Sequence, residues 1–278
     1  MDPSADRSSR APALLELSGV SKRFGAVRAL EDVQFDVHPS EVVALVGDNG
    51  AGKSTLIKVI SGIHKPDEGT IRWQGREVSM GSPNDAAKLG IATVYQDLAL
   101  CDNLDVVANL FLGRELTTRG GPLGVMNEVT MERRAVEVLR RLSVKIPSVR
   151  TEIVSLSGGQ RQSVAVARSV MGENKVVLLD EPTAALGVAQ TAEVLELVKR
   201  LRSQGLGVVL ISHNMPNVFE VADRITVLRL GHWVGTYDAK SVTHEQLVVF
   251  MTGAASGAEG KPATPELVLE IHPKGTPL

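Results

Sequence analysis

The sequence predicts an α/β chain. A mainly parallel sheet forms its core, an antiparallel β-subdomain precedes the core, and an α-helical subdomain is inserted into it. Three observations carry this. The short, continuously apolar runs EVVALVG, KVVLLD and GVVLIS have the pattern of strands buried on both faces. Helical segments separate them, and strand–helix alternation builds a parallel sheet. From Asp97 to about Arg168 strand-like runs stop and helical spacing takes over.

Taken in order, residues 1–13 read as a polar tail. LLEL and then Ala26 to Val37, with loosely alternating apolar positions, suggest strands of an antiparallel sheet. EVVALVG is the first buried strand, and a helix follows from about Lys53 to Ser61. GTIRWQG and REVSM form a hairpin, and IATVYQ is a further buried strand. In the inserted subdomain (about 97–168), MERRAVEVLRRLSV spaces Ala135, Val138, Leu139 and Leu142 along one helical face. Strands return at 175–180, 207–212 and 224–230. The domain therefore spans 14–253. Residues 254–278 contain GAASGAEGKPATPE, rich in Gly, Ala and Pro, and read as a flexible tail.

Composition narrows the function classes. Of 278 residues, 43% are hydrophobic and 22% charged, enough for a globular core. The net charge of −2 lacks the basic excess of a general nucleic-acid binder, so no nucleic-acid partner is expected. One cysteine, Cys101, excludes an internal disulfide and fits a reducing compartment. No apolar run approaches the roughly 18 residues of a membrane span, and MDPSADRSSRAPA has no secretory character. A soluble, cytosolic protein is expected.

GDNGAGKS, from Gly47 through Asp48, Asn49, Gly50, Ala51, Gly52 and Lys53 to Ser54, matches G-x-x-x-x-G-K-[ST]. It follows a buried strand and opens a helix, the context that gives this motif its meaning as a phosphate loop. Its glycines turn backbone N–H groups toward phosphate at a helix N-terminus. Lys53 is placed to reach the β- and γ-phosphates and Ser54 to hold Mg²⁺; the alternative is a glycine turn capping a helix. VVLLDE sets Asp180 and Glu181 at the C-terminal end of another buried strand, where open α/β sheets bind ligands. Asp180 suits Mg²⁺ and Glu181 suits a base for an attacking water, whereas acids also end strands as solvated caps.

A second glycine pair lies in LSGGQ. Ser157 is a good N-cap, Gly158 and Gly159 clear the backbone of side chains, and Gln160 follows. Val164, Ala167, Val170 and Met171 give the next helix an apolar face. A helix N-terminus of this kind attracts anions, or is simply a tight helix entry.

These motifs together resemble the ATP-binding subunits of ABC transporters. LSGGQ resembles the family signature, GDNGAGKST (reaching Thr55) its Walker A loop and VVLLDEP its Walker B strand. Gln96 in VYQD is similar to the Q-loop glutamine that senses Mg²⁺ and γ-phosphate. His213 in LISHN is similar to the switch histidine, and Phe24 to the aromatic that stacks on adenine. The resemblance runs from about Leu14 to Gly253 in the family's order and spacing, and implies an ABC-type P-loop NTPase fold with ATP and Mg²⁺ as ligands. It also implies a head-to-tail homodimer, each signature helix completing its partner's ATP site.

YQDLALCDNLDVVANLFLGRE, ISHNM and FMTG are similar to bacterial importers of the ribose, xylose and fructose type, most closely the single-domain fructose-type branch. That resemblance implies transmembrane permease subunits, a periplasmic sugar-binding protein and a peripheral place on the cytoplasmic face of the inner membrane. Leu104 to Glu115 reads either as a docking surface for the permease or as a helix packed on its own core. One position departs from the pattern: Gly187 stands where the D-loop usually has Asp, so communication between sites is expected either to be weaker or to run through backbone. A different transport substrate, export, a non-transport ATPase of ribosomes or DNA, and a binding-only module are the competing readings. The motor motifs do not name the sugar.

Overall fold

The computed structural model describes residues 11–118 and 124–254. Apart from residues 11–13 and 254, the expected tails lie outside the described residues. Ten strands form one sheet: β1 (Leu15–Phe24), β2 (Val27–Val37), β3 (Val42–Val46), β4 (Glu68–Trp73), β5 (Arg76–Val78), β6 (Ile91–Val94), β7 (Val176–Asp180), β8 (Gly207–Ile211), β9 (Arg224–Arg229) and β10 (His232–Asp238). The helices are α1 (Lys53–Ile60), α2 (Pro83–Leu89), α3 (Val106–Phe111), α4 (Glu128–Arg141), α5 (Gly158–Ser169), α6 (Val188–Ser203), α7 (Met215–Val221) and α8 (His244–Thr252).

The spatial order is β5-β4-β1-β2-β10-β9-β3-β8-β7-β6. From β9 to β6 every pair is parallel, with Val43 beside Val209 and Leu178 beside Val209 on either side of β8. All five residues of β3 and of β8 are buried, as strands covered on both faces require. Truncating one of their neighbours, such as Leu178→Ala, costs about 2–5 kcal/mol through lost burial and the cavity left behind. β1, β2, β4 and β5 are antiparallel and join the rest where His232 of β10 pairs with Glu31 of β2.

The chain refines the sequence reading at several places. β1 runs to Phe24, well beyond LLEL, because register shifts after Leu17 let Val20 regain the core. β10 was not legible: HWVGTYD alternates weakly, and its pairing with β9 comes from the tight turn at Leu230 and Gly231. α2 and α8 were also missed. Both are short, and both are fixed by capping: Ser82 accepts from Asp85 N, and Thr243 forms a capping box with Gln246.

Of the two readings of Leu104–Glu115, the structure shows the packed helix for α3. Val106, Val107, Leu110 and Phe111 of α3 are buried in the cluster with Met131, Ala135 and Leu139 of α4 and Val164 of α5. These side chains pack on the chain's own core, while Leu112 to Glu115 are exposed.

Parallel order has one consequence for function. β3, β6, β7 and β8 all end on the same edge of the sheet, delivering Gly47, Gln96, Glu181 and His213 to one place.

Candidate functional site

A cavity of about 480 Å³ opens at that edge. It is lined by Asn49, Gly50, Ala51, Gly52, Lys53, Ser54 and Thr55 from the loop and α1, by Gln96 after β6, by Asp180 and Glu181 at the end of β7, and by His213 after β8. The sheet thus gathers residues separated by more than 160 positions in the chain.

The loop is built for close backbone approach. Gly47 and Gly52 have φ of 151° and 101°, a region that favours glycine. A Cβ at Gly47 would run into the Leu228 carbonyl oxygen, and one at Gly52 would lie 2.7 Å from that of Ala29. Gly52 caps α1 without a side-chain bond, and the first intrahelical bond is Leu56 N to Gly52 O at 2.9 Å. The N–H groups of Lys53, Ser54 and Thr55 therefore have no acceptor within the helix, and no acid occupies its first turn. That is a cradle for phosphate oxygens. Gly47 and Asp48 serve it indirectly: their carbonyls receive Lys53 Nζ at 2.6 and 3.0 Å, curling the ammonium over the loop.

Charges in the cavity are held at a cost. Burial pulls Lys53 below the ordinary lysine range, although Glu181, Asp48 and Asp180 oppose it. Burial, with the adjacent Glu181 carboxylate, pushes Asp180 above the usual aspartate range against the pull of Lys53 and Lys58. Glu181 is largely covered while His213 is open, and His213 Nδ1 lies 2.9 Å from Glu181 Oε2. Glu181 adopts φ 49°, uncommon for a non-glycine residue; its N–H donates to Ile211 O of β8 at 3.0 Å.

The bare N–H cradle with Lys53 suits a polyphosphate. Among the described residues no group of three or more His, Cys, Asp or Glu gathers as a metal cage. Oxygen donors near the loop include the Ser54 hydroxyl, the Gln96 amide and the Asp180 carboxylate. Few protein oxygens beside a phosphate site is how proteins commonly hold Mg²⁺, so the residues fit.

Phe24 lies at the rim. It ends β1 opposite Val27, which lines the cavity, and 43% of it is exposed. His64 meets it edge-on with centroids 5.0 Å apart, and Lys22 Nζ sits 5.6 Å from its centroid. Sequence reasoning missed Val27, Arg28, Ala29 and Ala184 as cavity residues. No motif marks Val27 to Ala29, which β2 brings there, while Ala184 comes with the loop that follows Glu181.

Ser157 to Gln160 are absent from the lining of this cavity. They form the N-terminus of α5 as a capping box: Ser157 Oγ accepts from Gln160 N at 3.3 Å, and Gln160 Oε1 from Ser157 N at 3.0 Å. Gln160 Nε2 also donates to Lys145 O at 3.1 Å. The Gln160 side chain thus spends one donor and one acceptor on shaping the turn, and the Ser157 hydroxyl keeps its proton free to donate. Gly158 and Gly159 lack side chains for a packing reason as well: a Cβ on either would lie 3.0 Å from Leu186 or Gln190.

A second, larger cavity of about 820 Å³ is lined by residues of α2, β6 and α5. Tyr95 and Asp97 line it on either side of Gln96, together with Trp73, Arg114 and Arg168. One three-residue step of chain therefore faces both cavities.

Comparison with known proteins bears on this arrangement. The family described as ABC transporter matches residues 30–184. The chain is 48% identical to the xylose/arabinose import ATP-binding protein XylG of Sulfolobus acidocaldarius, over 88% of this chain and 96% of that protein. It is also 48% identical to the fructose import ATP-binding protein FrcA of Rhizobium meliloti, over 87% and 94%. Among solved structures, the dimeric post-hydrolysis state of the ATP-binding cassette MJ0796, bound to ADP and Pi, matches with a TM-score of 0.66 at 26% identity, over 81% of this chain and 98% of that one.

Proposed function

This chain belongs to the ABC transporter family of ATP-binding proteins, and on that premise we propose that it is the ATP-hydrolysing subunit of a monosaccharide importer. The observation that carries the proposal is the convergence of Lys53, Ser54, Gln96, Asp180, Glu181 and His213 on one cavity, while Ser157–Gln160, a helix N-terminus shaped for an anion, stays outside it. A single copy holds one complete phosphate loop and one unused anion-binding turn.

Two copies arranged head to tail with two-fold symmetry resolve this, each turn meeting the nucleotide held by its partner. Ser157 Oγ and the Gly158 and Gly159 N–H groups then serve as donors to a terminal phosphate. Gln160 shapes the turn through the capping box and keeps a second amide N–H for the phosphate. Lys53 and the α1 N–H groups bind the phosphates, and Phe24 offers its exposed ring to the base. Glu181 accepts the proton of the attacking water, and His213 holds the carboxylate in place. Ser54, Gln96 and Asp180 would hold Mg²⁺, which when bound neutralises phosphate charge.

Coupling to a membrane partner is supported by the chain step Tyr95–Gln96–Asp97. A permease segment seated in the larger cavity presses on Gln96 through Tyr95 and Asp97, and Gln96 faces the nucleotide. Among the described residues no helix is long and apolar enough to cross a membrane, consistent with a peripheral motor on the cytoplasmic face. Similarity to XylG and FrcA, whose names specify xylose/arabinose and fructose import, supports a monosaccharide as cargo and a periplasmic sugar-binding protein as the third component. One nucleotide-binding domain, 14–253, constitutes the motor.

Reconstitution tests the proposal. The chain is placed with its permease in vesicles, and ATPase activity is measured with and without sugar-loaded binding protein. Stimulated hydrolysis is expected; hydrolysis indifferent to both partners would contradict an import role.

A further inference from the structure

The stretch after Glu181 is held in an unusual way. Both Glu181 and Ala185 have left-handed φ, 49° and 59°. Such residues persist where their surroundings over-determine them. Main-chain bonds account for part of this: Ala184 N donates to Glu181 O at 3.1 Å and Leu186 N to Thr183 O at 3.4 Å. Among the described residues, 182–187 make one side-chain hydrogen bond, from Asn217 Nδ2 to Thr183 Oγ1 at 3.1 Å. Gly187 offers no side chain there, and the space around it is open.

Asn217 is itself anchored. Its N–H donates to Asn214 Oδ1 at 3.2 Å, and Asn214 N donates to Ser212 Oγ at 3.1 Å, with Ser212 buried. His213 lies between those two anchors in the chain. The result is a brace from the loop carrying His213, through the first turn of α7, to the loop carrying Glu181. Neither Thr183 nor Asn217 lines the phosphate-loop cavity.

We infer that Asn217 is a positioning residue for hydrolysis: through Thr183 it holds the Glu181 loop against α7, so that the Glu181 carboxylate and His213 ring keep their 2.9 Å spacing. The inference rests on the proposed role of Glu181. It assigns Asn217 no contact with nucleotide, so its loss acts on turnover and leaves binding intact.

The experiment measures kcat and KM for MgATP in the purified full chain, with melting temperature recorded for each variant. Asn217→Ala and Thr183→Val are each expected to lower kcat about five- to tenfold, in line with one lost hydrogen bond, with KM unchanged. Thr183→Ser keeps the oxygen and is expected to retain wild-type kcat. The double variant Asn217→Ala/Thr183→Val is expected to fall no further than either single one. Wild-type kcat in Asn217→Ala, additive losses, or equal losses in Thr183→Ser and Thr183→Val would each overturn the inference. Glu181→Gln is run in parallel. If it alone is inactive, the base assignment stands and only the brace fails; if it retains turnover, the base assignment itself has failed.

Discussion

His213 Nδ1 lies 2.9 Å from Glu181 Oε2, although the two residues leave adjacent strands and sit 32 positions apart in the chain. The contact places an imidazole on the carboxylate that faces the phosphate loop. Glu181→Gln preserves shape and removes the proposed base, so turnover is expected to fall by about 10²–10⁴ while ATP binding survives. A coupled assay of phosphate release beside a direct nucleotide-binding measurement checks both halves.

Phe24 contributes through its exposed ring, not through the core. Phe24→Ala is expected to weaken ATP binding by about 1–3 kcal/mol, the usual worth of a base stacked on an aromatic ring, with kcat at saturation unchanged. Equilibrium binding of a fluorescent ATP analogue measures it. Unaltered affinity would remove Phe24 from the site.

Asp180 carries a cost in the folded chain. Burial and Glu181 raise its proton affinity, so at neutral pH its charged form is less favourable folded than unfolded. Asp180→Asn is expected to raise the nucleotide-free melting temperature by about 2–4 °C. The same change is expected to abolish the extra stabilisation that MgATP gives over ATP alone. Thermal scans under the three conditions decide it.

Away from the site, Asp36 anchors a charged network on Arg224, with Arg224 Nη2 donating at 2.8 Å and Glu41 receiving Arg224 Nε at 2.6 Å. Burial raises the Asp36 pKa, but Arg224 and His38 outweigh it and hold the carboxyl below the usual range. A lowered pKa adds stability above the unfolded value, about 3.9, and loses it as pH falls through the folded value. Asp36→Asn is therefore expected to cost about 2 kcal/mol at pH 7, and progressively less as pH falls below the unfolded carboxylate range. Urea unfolding of both proteins across that range measures the difference.

Gly187 sets a smaller test. It caps α6 with φ −71° and no side-chain bond, and nothing lies within 4 Å of a Cβ built there. Its backbone does not need glycine. Gly187→Asp is expected to stabilise the chain by a few tenths of a kcal/mol by receiving an N–H of the first turn of α6; a lower melting temperature would show that the loop resists a side chain.

How much of this was readable beforehand follows from what each signal depends on. β3, β7 and β8 were legible because strands buried on both faces need unbroken apolar residues, and the phosphate loop because its glycines answer a local steric demand. Residues met through the sheet were not: Val27–Ala29 reach the cavity only because β2 runs beside β1, and no local pattern announces it. α3 is a case that the sequence left open. Its apolar face was plain in the sequence, but whether α4 and α5 or a partner covers that face depends on tertiary packing. Gln160 belongs to the same class, since only the geometry reveals that its side chain is spent on Ser157 and Lys145.

Sedimentation of the Glu181→Gln chain addresses the central claim, that each copy supplies the anion-binding turn its partner's nucleotide lacks. With saturating MgATP and hydrolysis blocked, the account predicts a two-copy species that disappears when nucleotide is withdrawn or when Ser157 is replaced by a bulky acid. A chain that sediments as a single copy under all these conditions, with nucleotide demonstrably bound and its permease present, would contradict it.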